Sequence, residues 1–215
     1  MNAILILVAA TGMGLAVASF LFSGLRGSSA RERTAEASPV IGGSDSGLRL
    51  VLGRLTLVEG TSVLRGHLVA NRAGGSFRYA SGDKSETRNI LFMDADSQSS
   101  RWLLPDDDHV IVHQEYVYRF ADNPRSRQPV ATLALVKPAL GDPNLSEGRL
   151  LLLDPAGRNI RAVADGVREL HTAALNAKGD ITILFERRQK FILSSADAAT
   201  LEVKSERQVT VPRLQ

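Results

Sequence analysis

"NILFMDADSQSSRWLLPDDD", residues 89–108, decides how the chain is read. An apolar run ends in Asp94, a polar turn follows, a second run carries the single tryptophan, Trp102, and three aspartates close the stretch. Short apolar runs bounded by turn formers are the pattern of strands, so this is one strand turning into the next. Asp106, Asp107 and Asp108 offer the oxygens that Ca²⁺ takes, but no Asp-x-Asp-x-Asp-Gly loop surrounds them and Pro105 marks a turn. A solvated turn is the better reading of the three aspartates.

The same pattern extends outward over residues 48–58, 62–70, 89–94, 100–104, 109–120, 129–137, 148–154, 159–164, 169–176, 180–186, 190–194 and 200–211. No stretch of a dozen residues carries a helical period, and the expected fold is an all-β domain over residues 48–215. "HVIVHQEYVYRF", residues 109–120, shows how the period decides meaning. On a helix His109 and His113 would share a face as a metal pair. On the strand that the β-branched and aromatic residues favour, they lie ~13 Å apart and cannot share an ion. Tyr116, Tyr118 and Phe120 alternate along one face as a packing stripe, and Trp102 is expected to anchor the core.

Two polar interruptions are long enough to carry a site, residues 71–88 and 121–129, and exposed connections explain both equally well.

The chain has 215 residues, 44% of them hydrophobic, enough for one domain with a true core. Its 26 basic and 23 acidic residues are interspersed, and a net charge of +3 gives no footprint for nucleic acid. The absence of cysteine excludes disulfides, thiol catalysis and thiolate metal sites.

Residues 1–25 read as a membrane segment. "AILILVAATGMGLAVASFLFSGL", residues 3–25, carries no charge, and at ~1.5 Å per residue it makes a helix slightly longer than the ~30 Å hydrocarbon core of a bilayer. A single transmembrane signal anchor is expected. The rival is a signal peptide cleaved after Ala16-Val17-Ala18, which lacks the usual positive start. Ala10, Gly14 and Ala18 recur along one helix face, a spacing that allows two such helices to pack as a homodimer. Residues 26–47, rich in Gly, Ser and Ala, are expected to be a flexible linker. Arg26, Arg31 and Arg33 argue for a cytoplasmic domain by the positive-inside rule. A single N-terminal span before a β-rich remainder suits the bacterial inner membrane with the domain on the periplasmic side, and that placement is the expectation carried forward.

Two hairpins carry a resemblance. "LFMDADSQSSRW", residues 91–102, resembles the β-propeller repeat of quinoprotein type, in which a strand ends in Leu-Asp, a Thr-Gly turn follows and a tryptophan closes the return strand. Asp94 and Trp102 stand at that spacing, Ser97 takes the threonine place and Gln98 replaces the glycine. "LLLLDPAGRNIRAVADGVRELHTAALNAKGDITILF", residues 150–185, looks like a blade boundary of the TolB-type propeller family, with Asp154, Gly157, Asn159, Arg161, Asp165, Gly166 and Gly179 in register. "KFILSSADAATLEV", residues 190–203, resembles a third hairpin with Ser194 or Ser195 in the aspartate's place. The "NILF…D…RWLLP" segment also resembles that of membrane-anchored bacterial β-domain proteins. The resemblance implies antiparallel, propeller-like sheets or a sandwich of short hairpins, and no particular activity. A closed propeller needs at least four blades of about 40 residues, which the chain after Gly47 barely accommodates.

Catalytic motifs are weak. Ser81-Gly82-Asp83-Lys84 matches S-x-x-K without its K-T-G partner. Gly74, Gly75 and Gly82 do not make a phosphate loop. His67, His109, His113 and His171 are too scattered to nominate a triad. No catalytic, cofactor-binding or metal residue is nominated, and no cofactor is expected. The expected role is protein binding or scaffolding in the cell envelope, with residues 3–25 in the inner membrane. The alternative is a small-molecule or glycan binder, or an enzyme of unrecognised type, using the loop at 71–88.

Overall fold

The structure, a computed structural model, describes residues 40–43, 48–72, 86–106, 108–120, 127–140, 142 and 146–210. The expected membrane anchor and homodimer face, most of the linker, Ser81 to Lys84 and most of both long loops lie outside the described residues. Among the described residues there are thirteen strands and no helix. In chain order they are β1 (Val40–Gly43), β2 (Leu48–Leu52), β3 (Thr56–Leu57), β4 (Val63–Arg72), β5 (Glu86–Asp94), β6 (Ser99–Trp102) and β7 (His109–Phe120). There follow β8 (Arg127–Pro138), β9 (Gly148–Leu153), β10 (Ile160–Leu175), β11 (Asp180–Arg187), β12 (Lys190–Asp197) and β13 (Val203–Val209).

All pairings are antiparallel and follow chain order in a single meander, β1-β2-β4-β5-β7-β8-β9-β10-β11-β12-β13, with β3 added to β4 and β6 to β5. The all-β antiparallel expectation holds. β1 lies inside the stretch expected to be linker and pairs with β2. Among the described residues the sheet therefore begins at Val40 rather than near Leu48, because a Val-Ile-Gly-Gly run too short to show a period still completes a ladder.

The core follows from two strands without alternation. "VATLALVK" on β8 and "LLLL" on β9 are buried on both faces, as apolar runs at the centre of a sheet must be. Ala131, Leu133, Leu135, Leu150 and Leu152 face one cluster, packed against Val167, Leu170, Ile181, Ile183, Phe185, Ile192 and Leu201 from the C-terminal strands. Ala134, Val136, Leu151 and Leu153 face the other, packed against Val63, Ile90, Phe92, Leu103, Leu104 and Ile111 from the N-terminal strands. The two ends of the meander thus cover opposite faces of its centre.

β10 makes the second half possible. Residues up to Val167 pair with β9, and residues from Val167 onward pair with β11. The change falls at Asp165-Gly166, where Gly166 takes φ +69 and register shifts flank it. A bulged strand with a left-handed glycine bends and leaves one ladder for the next. The two strands expected at 159–164 and 169–176 are therefore one strand with a bend where the sequence shows a break.

Four of the turns share one device. An Asp or Asn ending a strand accepts backbone N–H bonds from the turn that follows. Asp94 accepts from Asp96 and Ser97 at 3.1 and 3.3 Å, and Asp154 from Arg158 and Asn159 at 3.0 and 2.7 Å. Asn176 accepts from Lys178 and Asp180, and Asp197 from Ala199 and Thr200. In the third hairpin the turn residue is Asp197, not Ser194 or Ser195. Ser194 lies buried within β12 and donates to the Ser205 carbonyl.

Candidate functional site

The sequence-derived candidates are held in four separate places. Asp106 accepts from the Asp108 backbone and lies 2.9 Å from His109 Nδ1, which makes it part of its own turn; Asp107 lies outside the described residues. His113 is exposed. His67, half-buried on β4, meets Gln114 of β7 at 3.0 Å, and burial holds its pKa below the usual histidine value. His171 lies on β10, beside Glu169.

Trp102 does not anchor the core. It is 39% exposed, because Arg101 occupies the core-facing position of β6. Arg101 is the Cα partner of Phe92, places its guanidinium over the Phe92 ring and donates to the carbonyls of Ala156 and Gly157. Trp102 is left on the outer face beside its partner Leu91. The tyrosine stripe does pack: Tyr116 and Tyr118 are half-buried with ring centroids 6.5 Å apart, while the Phe120 side chain lies outside the described set.

Tyr116 belongs to a polar cluster with Arg65, whose guanidinium lies 4.5 Å from the ring centroid, and with His67 and Gln114. Arg65 Nε and Gln114 Nε2 are buried and find no partner among the described residues. Burial pushes the Tyr116 phenol upward.

The β11–β12 turn and the strand beside it concentrate more unusual chemistry. β11 and β12 are joined by Arg188 and Gln189, with Arg187 and Lys190 the last partners of the ladder. Both turn residues have positive φ, 51° and 60°. Two left-handed residues are what a type I′ hairpin needs, and the residues that adopt them cheaply are Asn, Asp and Gly. An arginine and a glutamine there carry strain of ~1–2 kcal/mol each.

Glu147, Arg168, Arg188 and Gln189 line an open depression of about 410 Å³ beside this turn. Arg168 Nη1 lies 3.7 Å from Glu186, and Glu186 is the Cα partner of Glu169 on the neighbouring strand. His171 Nδ1 lies 3.9 Å from Glu169, and the His171 ring packs 5.2 Å from Phe191. Glu169, His171 and Glu186 each offer a ligand atom within 4.8 Å of the other two. Lys137, only 3% exposed at the end of β8, is held below the usual lysine pKa by burial and by Arg168, with Glu169 and Asp142 opposing.

Of these residues only His171 stands out in the sequence, as one of four scattered histidines and without a partner. Glu169 and His171 alternate with nothing conspicuous, and their partner Glu186 is separated from them by a whole hairpin. The one local signal was negative: a two-residue connection, Arg188-Gln189, without the glycine or asparagine that such turns favour.

No family model matches the chain, and no curated protein matches it. Two solved structures are similar in part. One is the β-propeller domain of the Trilobed protease from Pyrococcus furiosus, at 11% identity and a TM-score of 0.36, covering 74% of this chain and 43% of that one. The other is dipeptidyl peptidase 4 of Porphyromonas gingivalis, at 10% identity and a TM-score of 0.28, covering 84% of this chain and 34% of that one. The chain spans less than half the length of either.

Proposed function

We propose that the chain is a protein-binding or scaffolding module of the bacterial cell envelope. A propeller-like sheet is carried on a membrane anchor at residues 3–25, with the domain on the periplasmic side. The observation that carries the binding role is the Arg188-Gln189 turn. Strained backbone with long polar side chains, set at the rim of a depression with Glu147 and Arg168, is arrangement beyond what closing a hairpin requires. The Asp94 and Asp154 turns support the propeller-like reading, since each aspartate stands at the spacing of the resembling repeats and accepts the backbone N–H bonds of its turn. Small residues at Ala10, Gly14 and Ala18 would allow the anchors to pair.

The test is photocrosslinking in the native host from a benzoylphenylalanine placed at Arg188 or Gln189, with Lys178, in the turn between β10 and β11, as the control. A discrete adduct from the first two positions and none from the third is expected. Equal labelling from all three, or none, rejects this surface as the partner face. Alkaline phosphatase fused after Gln215 reports the side of the membrane, and an inactive fusion overturns the periplasmic placement.

A second reading, a glycan or small-molecule binder, is favoured by the Arg65, His67, Gln114 and Tyr116 cluster, which combines an arginine stacked on a tyrosine with two buried donors unpaired among the described residues. Tyr116→Ala would then abolish binding to envelope oligosaccharides in a glycan array while leaving the circular dichroism spectrum unchanged. A wild-type chain that binds none of them rejects it.

A further inference from the structure

We propose that Glu169, His171 and Glu186 form a binding site for Zn²⁺. The proposal stands apart from partner binding, because it concerns the isolated chain and an inorganic ion.

The first argument is placement. Glu169 and Glu186 are direct partners across the β10–β11 ladder, and His171 follows Glu169 on β10 at the register shift between Leu170 and Thr172. Like charges directly opposite one another destabilise a sheet, and the two side-chain contacts made to them are long. The Arg168 contact is 3.7 Å and the His171 contact 3.9 Å, against ~2.7–2.9 Å for a charge-assisted hydrogen bond. The other imidazole nitrogen, Nε2, is buried and finds no partner among the described residues. Two carboxylates and an imidazole therefore converge, with one buried imidazole nitrogen unpaired among the described residues.

The second argument is reach. Ligand bonds to Zn²⁺ of ~2.0–2.2 Å set tetrahedral ligand atoms roughly 3.3 Å apart. The present atoms lie within 4.8 Å of one another. Rotation of two glutamate side chains closes that difference while the backbone ladder stays in place. Phe191, the Cα partner of Glu186, gives the imidazole an apolar wall that limits its rotation.

The third argument is ligand type. An imidazole with carboxylates suits Zn²⁺, whereas Ca²⁺ and Mg²⁺ take oxygen alone. Three protein ligands leave a coordination position for water. Arg168 and Lys137 are the nearby cations that oppose a metal ion; the Arg168 side chain is 51% exposed and can swing into solvent, while Lys137 is buried at the end of β8.

The test uses the untagged full-length chain in detergent, stripped with a chelator and titrated with ZnCl₂ against a chromophoric competitor, then with CoCl₂ followed by visible absorption. One equivalent of Zn²⁺ and visible Co²⁺ bands are expected. Removing a group that merely supports a metal ligand already costs about 10–100-fold in affinity, so His171→Asn and Glu186→Gln should each weaken binding at least about tenfold. Glu186→Gln removes a like charge, so its metal-free melting temperature should not fall, while the rise that Zn²⁺ gives the wild type should be absent. His109→Asn should leave the titration unchanged. Zn²⁺ uptake that survives both substitutions, uptake lost with His109→Asn, an equal response to CaCl₂, or no uptake at all overturns the site.

Discussion

Arg158 donates a hydrogen bond to Asp94 across 2.6 Å, joining two hairpin turns that lie 64 residues apart in the chain. Asp94 ends β5 and organises the turn into β6, while Arg158 sits in the turn between β9 and β10. The same two turns meet again where Arg101 donates to the Gly157 carbonyl at 2.9 Å and where Gly157 lies against the Phe92 ring. The turns that resemble blade hairpins therefore do more than close their own strands: each is the other's packing partner at the rim of the N-terminal core.

This pairing makes stability depend on acid. The Asp94 carboxyl is held below its ordinary value of 3.8, first by the Ser97 backbone N–H and then by Arg158. A depressed carboxyl contributes stability that is complete above the unfolded value and lost as pH falls through the folded one. Denaturant midpoints measured between about pH 5 and pH 2 should fall less steeply for Asp94→Asn than for the wild type, from a lower value at neutral pH. Arg158→Gln should flatten the curve less than Asp94→Asn, because the larger cause, the backbone bond, remains. Equal flattening by the two substitutions would assign the shift to the ion pair instead.

Gly157 and Gly179 separate close approach from backbone freedom. Both have positive φ, +66 and +85, but a Cβ at Gly157 would fall 2.6 Å from the Phe92 ring, while one at Gly179 would meet nothing within 4 Å. Gly179→Ala should cost the left-handed penalty alone, ~1–2 kcal/mol. Gly157→Ala should cost that plus ~1–3 kcal/mol of overpacking, read from urea midpoints at an unchanged m-value. If the two cost the same, the turn moves off Phe92 freely and does not lock the hairpins together.

Legibility in the sequence tracks how local each cause is. The bounds of β7 could be read from its β-branched and aromatic run, whereas the central place of β8 and β9 came only with the structure. Asp94, Asp154 and Gly157 were legible because an Asp side chain organises the turn within its own few residues. Asp165-Gly166 was read as a break and proved to be a bend, since a left-handed glycine looks the same in sequence whether the ladder ends or changes partner. Gln98 shows the same limit from the other side. It occupies the glycine place of the resembling repeat and adopts φ +54, so the turn held although the residue that signals it is missing. Trp102 misled because a long arginine took the inward position. The meeting of Glu169, His171 and Glu186 depends on register across a ladder, which no single stretch encodes.

Asn89 should be a costly residue to lose, although it is a polar group within an apolar run. It is 5% exposed, and its amide both donates to the Leu104 carbonyl at 2.9 Å and accepts from the Leu104 N–H at 2.9 Å. That is the pair of bonds a neighbouring strand would supply, and it holds Leu103 and Leu104 in the N-terminal core after β6 has ended. Asn89→Ala leaves both Leu104 groups without a partner, at ~1–3 kcal/mol for each unsatisfied group. A loss of about 2–6 kcal/mol in chemical denaturation is the expected total. Asn89→Asp should be nearly as harmful, because it keeps the acceptor and deletes the donor. A loss under about 0.5 kcal/mol, the range of neutral surface changes, would mean that water replaces the amide.

The strained turn between β11 and β12 gives the sharpest separation of scaffold from binding surface. Arg188→Asn with Gln189→Gly installs the residues that a type I′ hairpin prefers and removes the cost of two non-glycine residues at positive φ. Glycine's greater freedom in the unfolded chain offsets part of that gain, by ~0.4–1 kcal/mol. A net stabilisation of about 1–2 kcal/mol is expected in a urea titration. In the same doubly substituted chain, the adduct formed from a photocrosslinker moved to Arg168, on the other side of the depression, should disappear. A more stable protein with an undiminished adduct would make the strain an accident of the hairpin; a more stable protein that no longer meets its partner would show that Arg188 and Gln189 are held in that conformation for what their side chains touch.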